Sequence, residues 1–174
     1  WRSAGNFKWE GGGGKNDLDM VYTGVAYDFF KTLNIKMAEG RVFSKDHASD
    51  ENKAVILNQK AVEAMGIKDP IGKWFSISKD DRRTIIGVVQ DVQFRSFRHK
   101  AEPRVFYIAD LSKAKDTGLI LVKIGSGPSK EVLQDIRDIW ISFNPISPFE
   151  YHFLDDIYIS MYQKAVSYTH LTLP

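Results

Sequence analysis

Apolar and polar positions alternate in blocks along this chain, and the period changes from block to block, separating strands from helices. Asp19 to Val25 reads as a strand leading into a short helix, where Tyr27, Phe30 and Leu33 fall at helical spacing before Asn34 ends it. Glu39-Gly40-Arg41-Val42-Phe43-Ser44 turns the chain, and the polar run Lys45 to Lys53 reads as a loop. Val55 to Leu57 is a buried strand running into Asn58, a good N-cap, and the helix Gln59 to Met65 stops at Gly66 in the C′ position. Both ends of that helix are written in the sequence.

Asp69-Pro70-Ile71-Gly72-Lys73 begins a β-hairpin: Pro70 fixes φ and Gly72 permits a turn. Trp74 to Ser78 alternates apolar with polar, Lys79-Asp80-Asp81-Arg82 is a solvated loop, and Thr84 to Phe94 returns as a strand that is almost wholly apolar at its centre. Pro103 to Ile108 and Gly118 to Ile124 read as further strands. Gly125 to Pro128 breaks the second, Ser129 caps, and the next helix places Val132, Leu133, Ile136, Ile139, Trp140 and Phe143 on one face. Burying six such side chains, at about 1.5 to 3 kcal/mol each, suffices to anchor that helix on a sheet. Pro145 and Pro148 end it, Phe149 to Phe153 alternates as a strand, and Leu154 to Lys164 reads as a last helix begun by Asp155 and Asp156. Strands and helices mix without strict βαβ alternation, which favours α+β. Two strand-and-helix groups flank one hairpin unit. Residues 1–18, with Gly11 to Gly14, therefore read as a flexible lead-in, 19–45 with 103–164 as one discontinuous lobe, and 46–102 as a second lobe inserted into it.

Composition narrows the class. The 174 residues are 43% hydrophobic and 26% charged, an ordinary globular balance, and a domain of this size buries roughly 70% of its unfolded surface. No run approaches the ~18 apolar residues that span a bilayer. With 24 basic and 22 acidic residues the net charge of +2 supplies no field for nucleic acid, and the local concentration Arg95, Arg98, His99 and Lys100 reads as a solvated loop, with contact to anionic lipid or an acidic partner as the alternative. Zero cysteines exclude disulfides and thiolate metal sites. Trp1 opens directly into polar sequence with no visible signal peptide, so the chain reads as part of something longer.

Candidate chemistry fails on spacing. Gly11-Gly12-Gly13-Gly14-Lys15 has Asn16 where a phosphate loop needs a hydroxyl and Trp9 where it needs its first glycine; Gly72-Lys73 is followed by Trp74 and has Ile67 at the glycine position. His47, His99, His152 and His170 share no ligand spacing. Asp80-Asp81 and Asp155-Asp156 are adjacent pairs whose side chains diverge, so neither makes an acid/base pair. There is no Gly-x-Ser-x-Gly elbow and no cysteine nucleophile. Phe94 and Phe97 interleave with Arg95 and Arg98, a pattern that suits stacking on single-stranded nucleic acid but is better explained by strand alternation into a core. The residues supply no catalytic, cofactor-binding or metal-ligating set.

The wording of several segments nonetheless resembles the extracytoplasmic domain of the MacB-like and FtsX-like permeases of bacterial ABC transporters. Tyr27-Asp28-Phe29-Phe30-Lys31-Thr32-Leu33-Asn34-Ile35 followed by Glu39-Gly40-Arg41-Val42-Phe43-Ser44 is similar to the family's opening helix and glycine-arginine turn. Val55-Ile56-Leu57-Asn58-Gln59-Lys60-Ala61-Val62, then Gly66 and Asp69-Pro70-Ile71-Gly72-Lys73, resembles its middle, and Ile86-Gly87-Val88-Val89 with Asp91 and Phe94 continues it. Pro148-Phe149-Glu150-Tyr151, Phe153-Leu154-Asp155 and Met161-Tyr162 resemble the exit toward a second membrane helix.

The resemblance implies a two-lobed domain between two transmembrane helices, on the periplasmic side of an inner-membrane permease, binding no nucleotide. Its implied role is mechanical: it couples ATP-driven movement of the membrane helices to substrate export or release. The implied partners are the permease's own transmembrane helices, a cytoplasmic ABC ATPase, and a second permease copy or a periplasmic adaptor. A free-standing binding or adaptor module of the same fold is the alternative. Residues 165–174 depart from the family pattern, where charged residues would lead into a membrane span, and read as a non-native tail.

Overall fold

The computed structural model describes residues 2–4, 7–12, 18–76, 81–92, 101–110, 119–125, 129–157 and 159–160. In chain order its elements are β1 (Arg2–Ala4), β2 (Lys8–Trp9), β3 (Met20–Val25), α1 (Phe29–Thr32), β4 (Met37–Gly40), α2 (Asp50–Lys53), β5 (Ala54–Asn58), α3 (Gln59–Met65), β6 (Trp74–Ser76), β7 (Arg82–Val89), β8 (Arg104–Ile108) and α4 (Ser129–Phe143). The described strands form one mixed sheet in the order β1-β3-β8-β5-β7-β6-β2, with β4 also paired to β7. β3 with β8 and β5 with β7 are parallel, and the other pairs are antiparallel. The fold is α+β, as the sequence pattern predicts.

Side-chain alternation distributes the core to both faces of this sheet. Val55 and Leu57 of β5, Ile85 of β7 and Val105 of β8 join Phe7, Trp9, Met20 and Phe75 beneath Ala61 and Met65 of α3. On the other face Ala54, Ile56, Val89, Phe106 and Ile108 pack with Val25, Phe30, Ile35 and Phe43. Ile85 and Val89 share parity yet lie in different clusters. The cause is a register shift in the β5–β7 ladder: Val55 pairs with Ile85 but Ile56 with Gly87, leaving Ile86 as the extra residue of a bulge, which reverses the alternation beyond it.

At that bulge the chain leaving β4 crosses β7 at close range. Arg41 N–H donates to the Ile86 carbonyl at 3.0 Å. A Cβ on Gly87 would lie 2.4 Å from the Arg41 carbonyl oxygen, and one on Gly40, where φ is +72°, would lie 2.3 Å from the Ile86 oxygen. Both positions are therefore closed to any side chain.

Several expectations are revised. Residues of the lead-in are pinned: β1 pairs with Met20 to Tyr22, β2 pairs with Phe75 and Ser76, and Phe7 and Trp9 are buried. The polar run 45–53 is a loop only in its first half, because α2 follows and Asp50 is buried. β3 pairs with β8, while β5, within 46–102, pairs with β7 on one side and with β8, outside that segment, on the other. The chain forms two compact units, 1–121 and 122–174. Residues 119–124 and 149–153, expected as strands, join no ladder among the described residues, and a segment becomes a strand only when a partner takes its hydrogen bonds. None of the six apolar residues on α4 is buried, and Ile139 and Phe143 are 60% and 79% exposed, because the described residues of its own unit cover only one flank of the helix.

Gly87→Ala is expected to lower stability by about 1–3 kcal/mol, the range for forced overpacking. The measurement is the urea midpoint at unchanged slope. A midpoint equal to wild type would mean that the β4–β7 crossing opens without strain.

Candidate functional site

Among the described residues, the chemistry-bearing positions singled out from the sequence do not converge. Lys73 is a turn residue: its amine donates to the Lys68 carbonyl and its N–H to the Pro70 carbonyl, while Gly72 holds φ +84°. Asp81 accepts from Arg83 Nε at 3.0 and 3.2 Å instead of facing a substrate. His47 and His152 are exposed on separate segments, and Asp155 and Asp156 open the helical turn 154–157. Lys15, Asp80, Phe94, Arg95, Phe97, Arg98, His99, Lys100 and His170 lie outside the described residues. Among the described residues no cluster of His, Asp and Glu has the composition of a metal site.

Instead, the structure draws together residues that tie loops to the sheet. Arg41, immediately after the Gly40 crossing, forks onto Asp50, with Nη1 to Oδ2 at 2.5 Å and Nη2 to Oδ1 at 2.8 Å. Ser44 N–H donates to the same Oδ2 at 3.0 Å. Asp50 is 1% exposed while the Arg41 side chain keeps 40% of its surface. Burial pushes the Asp50 carboxyl up, but the hydrogen bonds from Arg41 and Ser44 and the Arg41 charge outweigh it, so its pKa lies below the ordinary carboxylate value. The same hydrogen bond raises Arg41. This bidentate clip closes the loop 41–50 against β4.

Asn58 is the second junction. Its Oδ1 accepts from Ala61 N–H at 3.0 Å, capping α3, and from Arg104 N–H at 2.7 Å, while Nδ2 donates to the Glu102 carbonyl at 2.9 Å. One buried amide thus joins the end of β5, the start of α3 and the start of β8. Arg104, also buried, donates from Nη1 to Thr23 Oγ1 of β3 at 3.1 Å. Asp91 continues the pattern by accepting the Lys60 N–H at 2.9 Å. On the α3 side of the sheet the rings of Tyr22 and Tyr107 stack at 3.9 Å and 8°, and Arg83 sits 5.6 Å over Tyr107. Burial raises the Tyr22 hydroxyl pKa well above its ordinary value. Sequence reasoning gave neither Asp50 nor Asn58 these roles, although Asn58 was legible as a cap.

These contacts tie the loops to the sheet. The model of the MacB-like periplasmic core domain matches residues 3–139. The chain belongs to this family. As a MacB-like periplasmic core domain it is a periplasmic domain. A curated relative, the macrolide export ATP-binding/permease protein MacB of Aggregatibacter actinomycetemcomitans, is 25% identical over 127 residues, or 70% of this chain. The chain spans 20% of that relative's length. Among solved structures, the periplasmic region of MacB from Actinobacillus actinomycetemcomitans superposes with a TM-score of 0.59 at 20% identity, covering 83% of this chain and 64% of that one. A domain of a putative permease protein from Porphyromonas gingivalis superposes with a TM-score of 0.58 at 17% identity, covering 89% of this chain and 76% of that one. Gly40, Arg41, Asn58, Gly72 and Gly87, all within the matched range, are the turn, clip, cap and crossing residues described above.

Asp50→Asn is expected to destabilise the domain by about 1–3 kcal/mol at pH 7, because a charged partner is lost but Arg41 remains hydrated. The folded pKa of Asp50 lies below the unfolded one. The clip therefore contributes fully above the unfolded value of about 3.9 and is lost as pH falls through the folded value. Urea titrations at several pH values should show the gap between variant and wild type closing below about pH 4. A gap independent of pH would assign the loss to packing instead.

Proposed function

We propose that this domain transmits ATP-driven movement of the permease's membrane helices to a displacement outside the membrane that exports or releases substrate. The observation that carries this reading is family membership over residues 3–139. The internal architecture supports it: a sheet packed on both faces, with loops clipped by Arg41–Asp50 and spliced by Asn58, resists bending and moves as a body. In this reading ATP is hydrolysed on a separate domain or chain. The partners are the permease's own transmembrane helices and that ATPase, with a second permease copy or a periplasmic adaptor completing the path. Export as the class of activity follows the printed name of the curated relative.

Force must leave the domain through a stiff connection. The segment from Leu154 begins with a helical turn at 154–157, where Ile157 N–H donates to the Phe153 carbonyl at 3.2 Å. A rigid helix continuous with a membrane span carries displacement, whereas a flexible linker absorbs it. Inserting a few glycines after Tyr162 in the full-length permease is expected to leave folding and ATPase activity intact and to abolish export. Undiminished export would reduce the last helix to a tether and end the mechanical reading.

Nucleotide binding is tested separately. Purified domain is expected to show no saturable ATP binding and no hydrolysis, since Lys73 is held by the Lys68 carbonyl and neither glycine-lysine site has the hydroxyl that follows a phosphate loop. Binding that disappears in Lys15→Ala or Lys73→Ala would overturn this expectation.

A further inference from the structure

We propose that residues 2–9 form a strap that holds both edges of the sheet at once and lifts from them in a single cooperative step. Strands β1 and β2 stand at opposite ends of the strand order, β1 beyond β3 and β2 beyond β6. From β1 to β2 that order takes six inter-strand steps, which in a flat sheet would set the two strands about 29 Å apart at about 4.8 Å per step. The chain from Ala4 to Lys8 reaches at most about 14 Å. The sheet must therefore curl until its two edges come close, and the short connection between β1 and β2 closes what remains of the gap. Phe7 shows which way it curls: its ring stacks on Phe75 of β6 at 5.4 Å and joins the cluster that holds Met20 of β3 with Ala61 and Met65, so the concave side is the one that α3 covers.

Neither half of the strap is long enough to hold by itself. β1 is three residues and β2 two, short of what a strand needs for a ladder of its own. Joined by a short covalent link, docking of one half presents the other at high effective concentration, so the halves bind and release together. Phe7, 1% exposed, sits in that link, and its burial supports both. Two features ease release. Trp9 buries its indole N–H with no acceptor among the described residues, a desolvation cost that only the docked state carries. Gly11, at φ +82° in open space, follows as a point about which the chain can swing. Lifting bares a cleft on the α3 side, lined by Met20 and Phe75, between two unpaired strand edges. The inference is independent of the force-transmission reading, since release of the strap is a property of the first unit alone.

The test is native-state hydrogen exchange on the 174-residue chain, read amide by amide in low denaturant. Val21 N–H donates to the Pro103 carbonyl on the β8 side, so the amides of Met20 and Tyr22 face β1; Glu10 N–H donates to the Trp74 carbonyl, so the amide of Ser76 faces β2. These three amides are expected to share one opening free energy and one denaturant slope, both below those of residues 55–57 in the centre of the sheet. Ala4→Pro, which removes a donor from the β1 ladder, is expected to speed exchange at Ser76, on the far edge, at least about tenfold and as much as at Met20. An unchanged rate at Ser76 in that variant overturns the proposal, because it makes β1 and β2 independent strands. In the unsubstituted chain, separate openings at the two edges, or exchange only together with residues 55–57, overturn it as well, and these readings stand if Ala4→Pro does not fold.

Discussion

Strand β5 has no side that faces water, and most of the first unit follows from that. All five of its residues are buried, its ladders run to β7 on one edge and β8 on the other, and its side chains alternate between two separate clusters. A strand so placed needs two covering layers. α3 supplies one; α1 with the segment from Ile35 to Phe43 supplies the other. Because β5 and β7 are parallel, the chain must return between them, and α3 with β6 makes that return. Removing apolar surface from β5 would weaken both clusters at once.

The buried polar groups serve the same end. Asn58 and Arg104 bond to groups distant in sequence and Asp50 to the two ends of its own loop, so their desolvation is offset by hydrogen bonds that fix loop positions. Gly40 and Gly87 add a constraint of another kind, a backbone crossing with no room for a Cβ. Clip, splice and crossing lie around β4, β5, β7 and β8 and hold the sheet's loops in place.

Residues 122–160 contrast with this. They carry a well-formed amphipathic helix and an aromatic row, but no ladder among the described residues and little burial. Secondary structure here is local, set by periodicity and by breakers such as Pro145 and Pro148. Packing is not local, and it depends on what is present to pack against.

The sequence by itself determined the elements whose causes are short-range. Helix α3 lies where its cap and Gly66 place it, Gly66 adopts φ +64°, Asn34 ends the first helix at φ +53°, and Gly72 turns the hairpin at φ +84°. The α+β class was legible from mixed periodicities, and the family from ordered motifs. Tertiary structure alone decided the rest. The lead-in reads as flexible because β1 and β2 are too short to show a period, and their strand character comes from β3 and β6 beside them. Asp50 reads as one more charge in a polar run, and only the approach of Arg41 makes it a buried anchor. Segments 119–124 and 149–153 read as strands from alternation, yet they pair with nothing described, because a strand is a relation between two segments and its partner cannot be read from one of them.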